Sequence, residues 1–392
     1  MEICIITGGF YHPFNQYKTN NAIYQLALEM QKQGHKISVI LTQPSFLTIV
    51  DKNNVKYILS KKKSEYSING INVLFCPQQT LIPWTLIKSP ISIWRTKNNV
   101  KYFIDKHNLN PELVLVHYAS SQYAIAKYLK KKYGWKPTFV FHNCDLAFPK
   151  IVKKIVSTES IVGVRSDAIR KNITSLVKHE IQSFQVYSGY PDYLLKKYNP
   201  EKYKSSNKRE GHHLIYAGKF QPQKNVDIII KALAQIKDKY QFTLDIIGDG
   251  EKRDNLINLV NTLNLKDRVI FHGNQSRDYV LSMMQKADCF IMVSSPETLG
   301  LVYLEALGCG CFVIGSKGEG IDGIIRDREN GLLVTPGSVD ELVSALEYYF
   351  NLDETEFNRI MVAAHKTALQ YTESSVARQY IQDALDVTKQ IK

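Results

Sequence analysis

The order of apolar runs and amphipathic stretches along this chain admits few folds. Ile3 to Thr7 is a short apolar run ending in Gly8-Gly9, and after a loop with His12-Pro13 the apolar residues fall at helical spacing from about Asn21 to Gln33. Gly34 closes that helix and Lys36 to Leu41 starts a second run. Strand, loop, helix, glycine, strand is a βαβ unit, whose crossover closes in one hand and leaves the two strands parallel. Ile71 to Cys76, Leu113 to His117, Thr138 to His142 and Ile161 to Arg165 continue the pattern, so a doubly wound α/β sheet is expected, with ligands beyond the carboxyl ends of its strands.

The pattern stops and restarts. Residues 198–213 are polar and charged and read as a linker. Leu214 to Ala217, Thr243 to Ile247, Val269 to Phe271, Cys289 to Val293 and Phe312 to Ile314 then form a second series of strands with helices between, and a last helix is expected over about Ser374 to Ile391. A chain of 392 residues is long enough for two such domains, here 1–197 and 214–371.

Charge separates the halves. Residues 1–190 hold 25 Lys and Arg against 10 Asp and Glu, whereas the remainder holds 25 against 27. The first half therefore suits an anionic partner, either nucleic acid or an anionic membrane surface. Six cysteines without a CxxC pair read as reduced core thiols of a cytosolic protein. The start of the chain lacks the basic and long apolar regions of a signal peptide, and the longest apolar stretch, Leu299 to Gly315, is too short and too interrupted to span a bilayer.

Chemistry concentrates in Ser294-Ser295-Pro296-Glu297-Thr298-Leu299-Gly300-Leu301, continued by Val302-Tyr303-Leu304-Glu305-Ala306-Leu307-Gly308. Pro296 and Gly300 keep Glu297 in a loop, while Leu301, Leu304, Glu305 and Leu307 carry helical spacing. On an ideal helix the two carboxylates would stand roughly 12 Å and 80° apart, too far to share a proton, so they must have separate tasks. The helix N-terminus between them suits a diphosphate. Glu305 can accept from ribose hydroxyls, and Glu297 from a sugar beyond the phosphates. The plainer alternative is a surface carboxylate followed by a partly buried one on a core helix.

This segment resembles the Glu-x7-Glu signature of glycosyltransferase family 4, retaining enzymes of the two-domain GT-B fold, and the likeness covers most of the chain. It implies two Rossmann-like, doubly wound parallel-sheet domains facing across a cleft. The first would bind the acceptor and be completed by the helix in 372–392; the second would hold a nucleotide-sugar. Gly218-Lys219 with Lys224 stands where the family has Gly-Arg-x4-Lys, so Lys219 keeps a charge but loses the guanidinium fork. Gly248-Asp249-Gly250 with Arg253 is similar to the family's Gly-x-Gly-x-x-Arg. Gly318-Glu319-Gly320 would wall the ligand with backbone, although Phe312 replaces a usual proline and Gly323 a frequent glutamate.

His142, at a strand end, stands where the family contacts the sugar, whereas His117 reads as structural. The family's Gly-Gly loop before the first helix is absent; Lys18 in its place can supply a charge or shape the acceptor site. Leu81 to Trp94 is apolar, carries Trp84 and Trp94, and adjoins Arg95 and Lys97, as interfacial segments do. No helix-turn-helix, zinc or RNA-recognition motif accompanies the basic charge, so a membrane is favoured over nucleic acid.

The resemblance thus implies a hexosyltransferase, retaining and metal-independent, with no cofactor and no Asp-x-Asp. It would move a hexose or HexNAc from a nucleotide-sugar, a UDP-sugar first, to a glycan or polyprenyl-diphosphate-linked acceptor. Bacterial surface polysaccharide (lipopolysaccharide O-antigen, capsule or teichuronic type) is the expected product. The protein would sit in the cytoplasm, peripheral on the inner face of the membrane. Glu297, His142 and Lys224 are the expected catalytic residues. Gly218, Lys219, Lys224, Gly248, Arg253, Glu297, Leu299, Gly300, Leu301 and Glu305 would hold the donor. Trp84, Trp94 and Lys18 would lie on the acceptor or membrane side. A catalytically silent GT-B-like binding subunit and a nucleotide-sugar epimerase remain as alternatives.

Overall fold

A computed structural model describes residues 1–10, 22–42, 44–46, 63–80, 90–197, 211–297 and 299–390. The chain forms two compact units, Met1–Tyr187 with Val376–Lys392, and Ser188–Ser375.

The first unit is built on an eight-stranded sheet in the order Ser183–Gln185, Val162–Val164, Pro137–Phe141, Leu113–His117, Glu2–Thr7, Lys36–Leu41, Ile71–Phe75, Ser64–Ile68. Its central strands are apolar on both faces because helices cover both, and Ile5, in register with Val39 and Leu115, is fully buried along with them. All pairings are parallel but one. Ser64–Ile68 runs antiparallel to Ile71–Phe75 through Asn69-Gly70, whose φ values of 46° and 80° are those of a tight hairpin turn. That edge departs from the expected all-parallel sheet, and the Asn-Gly pair was its signal. The helix Glu373–Gln390 buries Val376, Ala377, Tyr380 and Ile381 in this unit, and the Tyr380 hydroxyl lies 3.2 Å from Nε2 of His117.

The second unit has a six-stranded parallel sheet in the order Val269–Gly273, Phe242–Ile247, His212–Ala217, Cys289–Ile291, Phe312–Ser316, Leu332–Val334. The division between units falls ten residues before the expected end of the first domain at 197. The cause is Tyr190. Its ring is fully buried, its hydroxyl donates to the Ala368 carbonyl at 2.8 Å, and its N–H donates to the Tyr371 carbonyl at 3.0 Å. A Cβ on Gly308 would stand 2.3 Å from that ring, so glycine there is what lets the tyrosine dock. Residues 198–210 of the expected linker lie outside the described residues.

Five cysteines are buried as expected of core thiols, but Cys144 is exposed, because it sits in the short turn Asn143–Ala147 and not in a strand. Among the described residues no helix is long and apolar enough to cross a membrane.

Candidate functional site

In the second unit the ends of three neighbouring strands meet through glycines. The Gly218 N–H donates to the Ile247 carbonyl at 3.0 Å and the Gly248 N–H to the Gly273 carbonyl at 2.8 Å. A Cβ on Gly248, whose φ is 145°, would fall 1.8 Å from the Gly218 carbonyl oxygen. No side chain fits there. Backbone alone can therefore line this edge, and it walls one side of an open cavity of about 670 Å³. Gly218, Lys219, Gly248, Asp249, Gly250, Asn274, Gln275, Arg277, Val302 and Glu305 are among its lining residues.

Glu305 reaches this cavity from the helix Leu301–Cys309, which starts after Gly300 at φ 68°. Its carboxylate is buried and paired with Arg277, Nε and Nη2 both bonding to Oε1 at 2.7 and 2.6 Å. Burial pushes the carboxyl above its ordinary range, and the Arg277 guanidinium offsets only part of that rise.

A second group surrounds Glu297. Lys224, at the end of the turn Pro222–Lys224, donates from Nζ to Glu297 Oε2 at 2.5 Å, and Ser294 Oγ donates to the same oxygen at 3.2 Å. Both partners of the ion pair are mostly shielded, with side-chain exposures of 20% for Lys224 and 14% for Glu297. The Glu319 carboxylate holds the loop from the other side, accepting from Ser295 Oγ and from the Glu297 N–H, both at 2.6 Å. The Gly320 N–H closes the turn on the Glu297 carbonyl at 3.1 Å. The sequence expectation for Glu319 is only a place in a backbone wall, whereas its side chain holds the Glu297 loop. Its carboxylate between two glycines was the available sign that it does more.

The expected donor residues thus fall into two clusters. Gly218, Lys219, Gly248 and Glu305 share the cavity, and Lys224 pairs with Glu297. Leu299 is buried and Gly300 caps the helix that Leu301 begins. Arg253 is not among the cavity's lining residues; it starts the helix Arg253–Thr262, half-exposed, 3.5 Å from Asp249.

In the first unit His142 follows the strand Pro137–Phe141. Its Nε2 lies 3.2 Å from Nδ1 of His117, Tyr118 stacks on its ring at 4.1 Å, and its N–H donates to Asp145 at 2.8 Å. Burial, with His117 and Arg165 nearby, holds His142 well below the ordinary histidine range, and burial brings His117 down to about 3. Both rings are therefore neutral. His117, expected to be structural, is the buried link between His142 and Tyr380. Trp94 is 62% exposed on the helix Pro90–His107 beside the exposed Ile91 and Arg95. Trp84 and Lys18 lie outside the described residues.

Two parallel-sheet α/β units in one chain, the second with a glycine-walled cavity, define a chain of the GT-B type. Residues 199–366 match the family described as glycosyl transferases group 1. The lipopolysaccharide core biosynthesis glycosyltransferase LpsE of Rhizobium meliloti is 34% identical over 166 residues, 42% of this chain and 47% of that protein. The N-acetyl-alpha-D-glucosaminyl L-malate synthase of Bacillus anthracis is 26% identical over 254 residues, 61% of this chain and 66% of that protein. These matches span about half and just under two thirds of the two relatives. The crystal structure of Anabaena HepE in complex with UDP is similar with a TM-score of 0.68 and 18% identity, covering 98% of this chain and all of that one.

Proposed function

We propose that the chain is a retaining glycosyltransferase of the family 4 type that uses a nucleotide-sugar without a metal ion. The observation that carries this reading is the pairing of a glycine-walled cavity, holding Lys219 and Glu305, with the Lys224–Glu297 pair on the loop just before the Glu305 helix. In this reading the nucleoside enters the cavity and Glu305 accepts from its ribose. Lys219, Lys224 and the backbone amides at Leu299–Leu301 neutralise the departing diphosphate. Glu297 accepts from the donor sugar, and the acceptor attacks from the face the diphosphate leaves. UDP-sugars are the first choice of donor because HepE was crystallised with UDP.

A panel of UDP-, GDP- and ADP-hexoses and N-acetylhexosamines, with and without bacterial membrane extract, tests it. Turnover of one donor to a glycosylated acceptor is expected. Nucleotide binding with no turnover on any donor would instead identify a silent binding subunit, and donor isomerisation without acceptor an epimerase.

The acceptor in this reading is lipid-linked and belongs to surface polysaccharide, on the inner face of the cytoplasmic membrane. Support comes from the exposed Ile91 and Trp94 beside Arg95, and from the exposed Lys130, Lys131, Lys132, Lys150, Lys153 and Lys154 of the same unit. Sedimentation with phosphatidylglycerol vesicles should fall as salt rises and the Debye length contracts below about 10 Å. Equal binding to phosphatidylcholine vesicles at all salt concentrations would remove the membrane from the proposal.

A further inference from the structure

Arg277 starts the helix Arg277–Met284, where the unpaired N–H groups already carry partial positive charge. A cation is disfavoured at such a place unless a partner repays it. That partner is Glu305, which approaches from a different helix. Both guanidinium contacts fall on Oε1. Oε2 has no protein partner among the described residues and is not an enclosed orphan, and Glu305 lines the cavity.

The base of the arginine is fixed as firmly as its tip. Ser276 caps the helix by accepting from the Tyr279 N–H at 3.3 Å. The Tyr279 hydroxyl meets His272 Nδ1 at 3.0 Å, and His272 Nε2 meets the buried Asp245 at 2.7 Å. Asp245 also holds His213 on the neighbouring strand. The Gln275 side chain donates to the His272 carbonyl at 2.7 Å, tying down the turn before the helix. These contacts tie one turn to the sheet through Tyr279, Gln275 and His272, and the guanidinium projects from that turn onto a single carboxylate oxygen.

We infer that Arg277 is a positioning residue that presents Glu305 as an ionised acceptor with one oxygen free, and so sets the preference for a ribose diol over a deoxyribose. The inference rests on the reading that Glu305 meets the nucleotide's ribose. A carboxylate with both oxygens loose would rotate, and a buried one without a cation would take up a proton and lose acceptor strength. Arg277 fixes one oxygen and opposes the proton uptake. The cavity then discriminates by an acceptor left unpaired when the hydroxyl is missing, the kind of recognition that rejects an analogue most strongly.

Isothermal titration of the full chain with UDP and 2′-deoxy-UDP, and with the GDP and ADP pairs, tests this between about pH 5 and pH 8.5, a range spanning a raised carboxyl. The wild type is expected to prefer the ribonucleotide by about tenfold or more, with a smaller loss toward the acid end of the range than Arg277→Gln shows. Arg277→Gln should shrink that preference severalfold and make ribonucleotide binding fall with falling pH, since protonation removes the acceptor. Arg277→Lys, which keeps the charge but not the two-point contact, should restore the wild-type pH profile and only part of the preference; it also serves where the glutamine variant does not fold. An Arg277→Gln protein with the wild-type preference and profile, beside a Glu305→Gln protein that has lost the preference, would overturn the inference alone. A uniform weakening of ribo- and deoxyribonucleotides without pH dependence would also overturn it. Equal ribo and deoxy affinity in both wild type and Glu305→Gln would overturn the ribose reading itself, and this inference with it.

Discussion

Glu297→Ala will abolish most turnover, by about two to three orders of magnitude, while nucleotide affinity holds or rises. The sign of the second effect follows from the ion pair. In the structure Glu297 competes for the Lys224 ammonium that the reading gives to the diphosphate. Removing the carboxylate frees that cation for an anion, whereas Lys224→Ala removes the cation and should weaken nucleotide binding and turnover together. Titration of UDP, GDP and ADP into the two variants, beside donor turnover, separates them. Equal loss of nucleotide binding in both would mean that Glu297 only shapes the loop, and unchanged turnover in Glu297→Ala would take it out of the site.

The second large effect is on stability. Gly248→Ala would drive a methyl group into the Gly218 carbonyl at a backbone angle that other residues avoid. The loops after two adjacent strands must then part, at a cost of about 2–4 kcal/mol from steric overlap and strain combined. Gly273→Ala is the matched control. Its φ of 67° is also left-handed, but no atom lies within 4 Å of the added carbon, so only the backbone term of about 1 kcal/mol remains. Thermal unfolding followed by circular dichroism should show the first variant melting several degrees below the second. Similar melting of the two would mean that the contact relaxes cheaply.

Sequence reached the fold because the physics of the sheet is local. Leu113 to Val116 is an uninterrupted apolar run, and such a run is a buried parallel strand wherever helices flank it. Asn69-Gly70 is an equally local signal, a pair that turns one strand back on its neighbour. The site is different. Spacing could place Glu297 in a loop and Glu305 on a helix, as the structure does. It could not tell which cation each would face. Lys224 is 73 residues from Glu297 and Arg277 is 28 from Glu305, and nothing in either neighbourhood marks the partner. The same holds for His117, whose strand-end position looked ordinary until Tyr380, 263 residues on, was brought to its ring. Tyr190 shows the converse: a polar stretch advertised a boundary, but one buried ring had already carried the chain into the second unit.

The helix Glu373–Gln390 imposes an order of events on biosynthesis. The strands of the first unit precede Ser188–Ser375 in sequence, yet Tyr380 and its neighbours, which fill part of that unit's core, follow it. At about 5–20 residues per second, the nascent sheet around His117 waits roughly ten to forty seconds for its last element to leave the ribosome. The second unit, contiguous in sequence, can close in that interval. The unit whose strands are translated earlier is therefore the one completed later.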